Sequence, residues 1–231
     1  MTIEEKIFKC KRFDIMKMLN FGFRHNMQDK EIYTYEEAFM NGEFTAILKV
    51  RGDKLESGKV VDSATELEYL PLRFETAEGA YVNTVRAAYE GLLYGLAARC
   101  CEDVVFASDQ SNRISEAIYK AYRIKPDFPW SESPYDGAAT FRHKENNKWF
   151  ALLMNISWDS LLKNGNQTVV DVLNLKKDLD MPELYEKSGV YPAYHMNHKL
   201  WVSVTLDDTL EDSLVMELID RSFELTGKKS R

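Results

Sequence analysis

Three short stretches of this chain concentrate cations beside neutral hydrogen-bonding side chains. Arg142, His143 and Lys144 are followed by Lys148; Lys176 and Lys177 are adjacent; His195, His198 and Lys199 surround Asn197 and follow Tyr194. Guanidinium and ammonium groups donate to phosphate oxygens, while amide and phenol groups add neutral donors, so the set suits nucleic-acid phosphate contacts. Strand alternation places Arg142 and Lys144 on one face. The chemistry requires three segments far apart in the chain to meet on one rim. Otherwise the same residues are solvated strand ends, neutralised by Glu145, Asp178 and Asp207.

Other chemistries are weaker. His195-x-x-His198 is half of a metal pair, but no cysteine stands nearby and a zinc shell needs three or four ligands, so neither metal nor cofactor is expected. Glu211, Asp212, Glu217 and Asp220 suit either iron handling or an exposed helix face with carboxylates near its N-terminus, and the second reading is preferred. GxSxG, P-loop, GxGxxG and HExxH patterns are missing, and Ser111 and Ser203 have no evident base, so the chain is not expected to be an enzyme. Trp130, Trp149, Trp158 and Trp201, with Phe128 and Phe150, offer either base-stacking platforms or core filling, and core filling is favoured.

The elements that must position these residues follow from hydrophobic periodicity. Ile7, Phe8, Ile15, Met18 and Leu19 predict one helix from Thr2 to Leu19. Strands are expected at 31–39 and 44–50, joined by Asn41-Gly42, whose residues tolerate positive φ, and a third at 59–61. Tyr69 to Phe74 reads as extended, and a helix follows from Tyr81 to Cys100. Beyond a linker at 102–111, a helix spans 113–122, and Pro126, Pro129 and Pro134 hold the chain extended. A hairpin pairs 138–143 with 149–156 through Glu145-Asn146-Asn147. Its second strand is apolar at every position from Trp149 to Met154, which predicts cover on both faces. Strands at 169–175 and 201–206 flank a short helix capped by Asp180. Thr209 and Asp212 form a capping-box-like start to a last helix, 210–225, and Lys228 to Arg231 form a tail. Strand runs bracketed by helices argue for α+β.

Composition is consistent with this. Charged residues make up 29 % and hydrophobic residues 45 % of 231, with a formal net charge of −7. Neither half carries the basic excess usual for a nucleic-acid binder, so any such contact is local. Three cysteines, with Cys100 and Cys101 adjacent and no CxxC, point to reduced thiols and a cytoplasmic setting. No apolar run is long enough to span a membrane, and no signal peptide is visible.

The second half carries an ordered series of segments. Pro126-Asp127-Phe128-Pro129-Trp130 precedes Phe141-Arg142-His143 and Lys148-Trp149-Phe150-Ala151. Leu173-Asn174-Leu175-Lys176, Tyr194-His195-Met196-Asn197, Trp201-Val202-Ser203-Val204 and Ser222-Phe223-Glu224-Leu225-Thr226 follow. In this order and spacing the series resembles the MmcQ/YjbR family. Leu200 stands where members usually have histidine before the tryptophan, Lys177 where they often have cysteine, and Asp208 where they have a turn glycine. The resemblance implies a CyaY-like α+β fold, an antiparallel sheet with helices on one face, in residues 106–231. Residues 1–105 would form a smaller α+β extension. Members are read as DNA-binding because the fold is similar to a double-wing module of a transcription factor. That is analogy at the level of fold. The expected function is therefore a DNA-phosphate-contacting module with a regulatory role, and the alternative is a non-catalytic protein or small-ligand adaptor, which predicts a closed apolar pocket or an exposed aromatic patch between the halves.

Overall fold

In the computed structural model, which describes residues 2–74, 76–130, 137–179 and 182–227, the chain forms two compact units, Met1–Val105 and Phe106–Arg231. The positions of Pro134, Asp180 and the Lys228–Arg231 tail lie outside the described residues. Among the described residues no helix is long and apolar enough to cross a membrane.

The first unit runs α1 (Ile3–Phe8), β1 (Lys11–Phe13), α2 (Ile15–Phe21), β2 (Arg24–His25), β3 (Ile32–Phe39), β4 (Phe44–Arg51), β5 (Lys54–Asp62), α3 (Ala80–Cys100) and β6 (Cys101–Asp103). The single helix expected from Thr2 to Leu19 is thus two. The cause is non-local: β1 pairs antiparallel with β6, from the far end of the unit. Asp14 then restarts the helix, its carboxylate accepting from the Lys17 backbone N–H at 2.8 Å. Ile15 and Leu19, expected inside, are exposed. The linker expected at 102–111 is shorter: β6 and a helix that begins at Asp109 leave residues 104–108 between them, where the two units divide.

Strands β2-β3-β4-β5 form an antiparallel sheet. Met40, Asn41 and Gly42 turn β3 into β4 with φ of 50°, 57° and 87°, as the Asn-Gly pair permits. In β4, Phe44, Ala46, Leu48 and Val50 are buried and alternate with more exposed residues. They join Val85, Tyr89, Leu93 and Leu96 of α3 in one core. Leu70–Arg73 is a 3-10 turn and not extended, and it delivers Arg73 to Glu4 at 3.1 and 3.2 Å. The buried Glu4 carboxylate also accepts from the Tyr89 phenol at 2.8 Å. Gly58 makes room for it, since a Cβ there would lie 2.7 Å from Glu4 Cγ.

The second unit runs α4 (Asp109–Tyr122), β7 (Ala139–Arg142), β8 (Trp149–Ser157), α5 (Trp158–Leu162), β9 (Val169–Lys176), β10 (Val190–Pro192), β11 (Trp201–Thr205) and α6 (Asp212–Gly227). Its sheet is antiparallel in the order β10-β11-β9-β8-β7. The α+β expectation holds. Pairing aligns Phe141, Ala151, Leu175 and Val202 across one face, and Ala139, Leu153, Leu173 and Val204 beside them. These side chains share a core with Ile114 and Ile118 of α4 and Val215 and Ile219 of α6. The opposite face is closed as well: Thr140, Leu152, Met154, Asn174 and Ser203 are buried, and Trp130, Trp149 and Tyr194 pack near Leu152 and Met154. That double cover accounts for the unbroken apolar run of β8.

Two carboxylates fasten the start of α4. Asp171, buried in β9, accepts from the Ser108 N–H at 2.9 Å, the Ser111 hydroxyl at 2.8 Å and the Asn155 amide at 2.7 Å. Asp212, expected to complete a capping box with Thr209, instead accepts from Gln110 at 3.0 Å and Arg113 at 2.7 Å.

Candidate nucleic-acid interface

Strand direction decides which ends meet. Arg142 closes β7 opposite Trp149, which opens β8; Lys176 closes β9 opposite Trp201, which opens β11. Neighbouring strands run antiparallel, so these four residues lie along one edge of the sheet. The Lys177 N–H donates to the Leu200 carbonyl at 2.9 Å and draws the loop before β11 to that edge.

The loop itself is held by a closed polar ring. The Ser203 hydroxyl donates to Asn174 Oδ1 at 2.6 Å, the Tyr194 N–H donates to Ser203 Oγ at 2.8 Å, and Asn174 Nδ2 donates to the Tyr194 carbonyl at 2.8 Å. Asn174 and Ser203 face each other in the β9–β11 register. Buried amide and hydroxyl groups that satisfy one another fix a unique geometry. Ser222 performs a similar task from α6, donating to the Phe150 carbonyl and accepting from the Lys176 N–H at 2.8 Å. It sits where β7 and β8 slip register, between Phe141 and Arg142. These anchoring roles of Asn174, Ser203 and Ser222 were not read from the sequence. The available signal was a hydroxyl on the inward face of α6, between Ile219 and Thr226.

The expected contact residues divide into three groups. Lys144, Lys148, Lys176 and Lys199 have no ion pair among the described residues, and all but half-buried Lys176 are exposed. Lys144 lies in the β7–β8 turn and so does not continue the alternation from Arg142. His195, with φ of 55°, meets the Tyr194 ring at 4.0 Å between centroids and a 53° tilt, and both it and His198 are exposed.

The second group is partly committed. Arg142 meets Asp127 at 3.3 Å and Thr140 at 3.2 Å, with its guanidinium 5.1 Å above the Trp149 ring. Asn197 spends its side-chain oxygen on the Lys199 N–H at 3.0 Å. Tyr194 packs its ring with Leu152 and Met154.

The third group is corrected outright. His143 is 3 % exposed, 2.8 Å from the Thr226 hydroxyl and tilted at 39° against the Phe223 ring with centroids 4.1 Å apart, so it ties the hairpin to α6 and does not face solvent. Burial holds its imidazole below the usual value, Lys148 pushes the same way and Glu145 opposes. Lys177 is buried too, with its ammonium on the Asp178 carbonyl at 3.3 Å and 5.8 Å above Tyr185. The expected neutralisers also act elsewhere: Asp178 pairs with Arg221 at 2.7 Å, and Asp207 accepts from Thr205 and Thr209.

Between the tips of β8, β9 and β11 opens a cleft of about 370 Å³, lined by Asn147, Lys148, Trp149, Lys176, Trp201 and Thr226. Core filling therefore describes Phe150, which is fully buried, and in part Trp130 and Trp149, which pack against Ala138, Leu152 and Met154, whereas half-buried Trp201 belongs to neither core cluster among the described residues. Among the acidic residues of α6, Asp212 is held by Arg113 and Asp220 accepts from Tyr122. No group of three or more His, Cys, Asp or Glu side chains arranged for a metal ion occurs among the described residues.

A family model described as YjbR matches residues 116–225. The Bacillus subtilis protein YyaQ, described as uncharacterized, is 33 % identical over 114 residues, covering 49 % of this chain and 94 % of that one. A crystal structure of a Pseudomonas syringae protein is 41 % identical, covers 49 % of this chain and 96 % of its own, and superposes with a TM-score of 0.46. A Deinococcus radiodurans protein is 26 % identical over 46 % of this chain and 70 % of its own, with a TM-score of 0.33.

Proposed function

This chain belongs to the YjbR family, and from that premise we propose that its second unit is a non-catalytic, cytoplasmic DNA-phosphate-contacting module with a regulatory role. The observation that carries the reading is the row of cations along one sheet edge: Lys148 and Lys176 at strand tips and Lys144 and Lys199 in the adjoining loops, none ion-paired among the described residues, beside an Arg142 partly committed to Asp127. Cations without internal partners retain their charge for a ligand, and phosphate contacts of this kind position a protein without reading sequence. The overall charge of −7 makes such binding local and dependent on low ionic strength. Fluorescence anisotropy with labelled DNA tests it. Binding that weakens when Lys148, Lys176 and Lys199 are replaced by alanine supports the reading, and affinity unchanged by the triple substitution rejects it.

One observation favours an adaptor instead. In the first unit Leu67, Leu70 and Phe74 are 69, 55 and 59 % exposed within a short stretch of chain, and clustered apolar exposure marks protein contact. Under the DNA reading, Phe74→Ser leaves affinity for DNA unchanged.

A further inference from the structure

We propose that the cleft lined by Trp149 and Trp201 seats one unpaired nucleobase, so that the ligand of the basic edge is single-stranded DNA and not a duplex; this rests on the edge being a DNA-phosphate contact. The two indoles differ in what already occupies them. Trp149 carries the Arg142 guanidinium 5.1 Å above its ring and meets Trp130 edge-on at 5.5 Å and 86°. Trp201 is half-buried, yet among the described residues no ring or cation stacks on it and its indole N–H has no hydrogen-bond partner. An indole facing a recess without a ring against it is a platform for a flat π-system.

Two lysines, Lys148 and Lys176, line the same cleft as the indoles. Lys148 precedes Trp149 in the chain, and Lys176 stands opposite Trp201 in the strand register. Neither lysine has an ion pair among the described residues. This pairs a stacking surface with a phosphate contact, the repeating unit of single-strand binding grooves. The Thr226 hydroxyl, which also lines the cleft, is already engaged with the Ser222 carbonyl at 2.7 Å and with His143 at 2.8 Å. Asn147 stands on the rim with φ of 57°.

Shape separates the two forms of DNA. Duplex bases are read by a helix or ribbon that projects into a groove. Here the charged edge carries an open cleft of about 370 Å³, at the small end for ligand pockets and large enough for one base. A base enters such a recess only when it is out of the stack.

The test uses the full chain at low salt and three labelled probes of about 12 nucleotides: a single strand, the same strand in a duplex, and a single strand of equal phosphate count with abasic sites throughout. The base-bearing strand should bind about 5- to 150-fold tighter than the abasic strand, should bind tighter than the duplex, and should quench tryptophan fluorescence. Trp201→Leu should abolish the first ratio while leaving the abasic strand bound as before. The comparison of probes on the native chain needs no variant, so it stands if Trp201→Leu does not fold. Equal affinity for base-bearing and abasic strands, or preference for the duplex, overturns the inference and leaves the phosphate reading intact. Failure of all three probes to bind overturns both.

Discussion

In β4 of the first unit every second side chain is buried, whereas in β8 of the second five consecutive side chains, Phe150 to Met154, are buried. The two sheets are covered on one face and on two. The charges follow the same division. Principal cations of the first unit are neutralised internally: Arg73 by Glu4 and Glu68, Arg51 by Asp29 and Glu56, Lys17 by Glu102. Along the β7–β8–β9–β11 edge of the second unit, Lys144, Lys148, Lys176 and Lys199 have no such partners among the described residues. A sheet packed on both faces has its rim as the place left for a ligand. There, loops fastened by Asn174, Ser203, Ser222 and His143 hold unpaired charge in fixed positions.

The contrast can be broken at several points. The largest effect is expected from Arg73→Met, which strands the buried Glu4 carboxylate; the first unit should lose about 3 kcal/mol in urea denaturation, while the second unit's transition stays in place. Asp171→Ala does the converse. Removing the acceptor of Ser108, Ser111 and Asn155 should cost the second unit about 2 kcal/mol and detach the start of α4, seen as a lower transition midpoint.

A smaller effect concerns pH. The His143 imidazole is held below its ordinary value, so the unfolded chain takes up its proton first as pH falls. The stabilisation is complete above the unfolded value near 6.5 and declines as pH drops towards the folded one, by at most ~1.4 kcal/mol per pH unit. Thermal melts of His143→Gln between about pH 7.5 and 5.5 should show a flatter dependence than the native chain, and an identical slope would count against the buried imidazole. The smallest change is expected from Lys199→Ala, whose exposed ammonium should alter DNA affinity at low salt and leave melting unaffected.

Local pattern accounts for much of what was legible in advance. The β3–β4 turn follows from Asn41-Gly42, α3 from its apolar stripe, and the double cover of β8 from its uninterrupted hydrophobicity. What escaped depends on partners far away in the chain. The Thr2–Leu19 pattern is helical by itself, and partners distant in the chain, the Cys101–Asp103 strand and the Asp53 carbonyl, break it. His143 looks like one more cation of its hairpin until Phe223 and Thr226 enclose it, and Lys177 until Tyr185 lies beneath its ammonium. The sequence likewise opens strands at Trp149 and Trp201 without revealing that the two tips line one cleft.

The most direct test is the salt dependence of DNA affinity for the native chain and for Lys148→Ala/Lys176→Ala, measured by anisotropy between about 50 and 200 mM salt. If the two ammonium groups touch phosphates, the logarithm of the native association constant falls linearly with the logarithm of salt. The double variant should then bind more weakly, with a slope shallower by about 1.4 on a single strand or 1.8 on a duplex. Parallel lines of equal height for the two proteins would contradict the account.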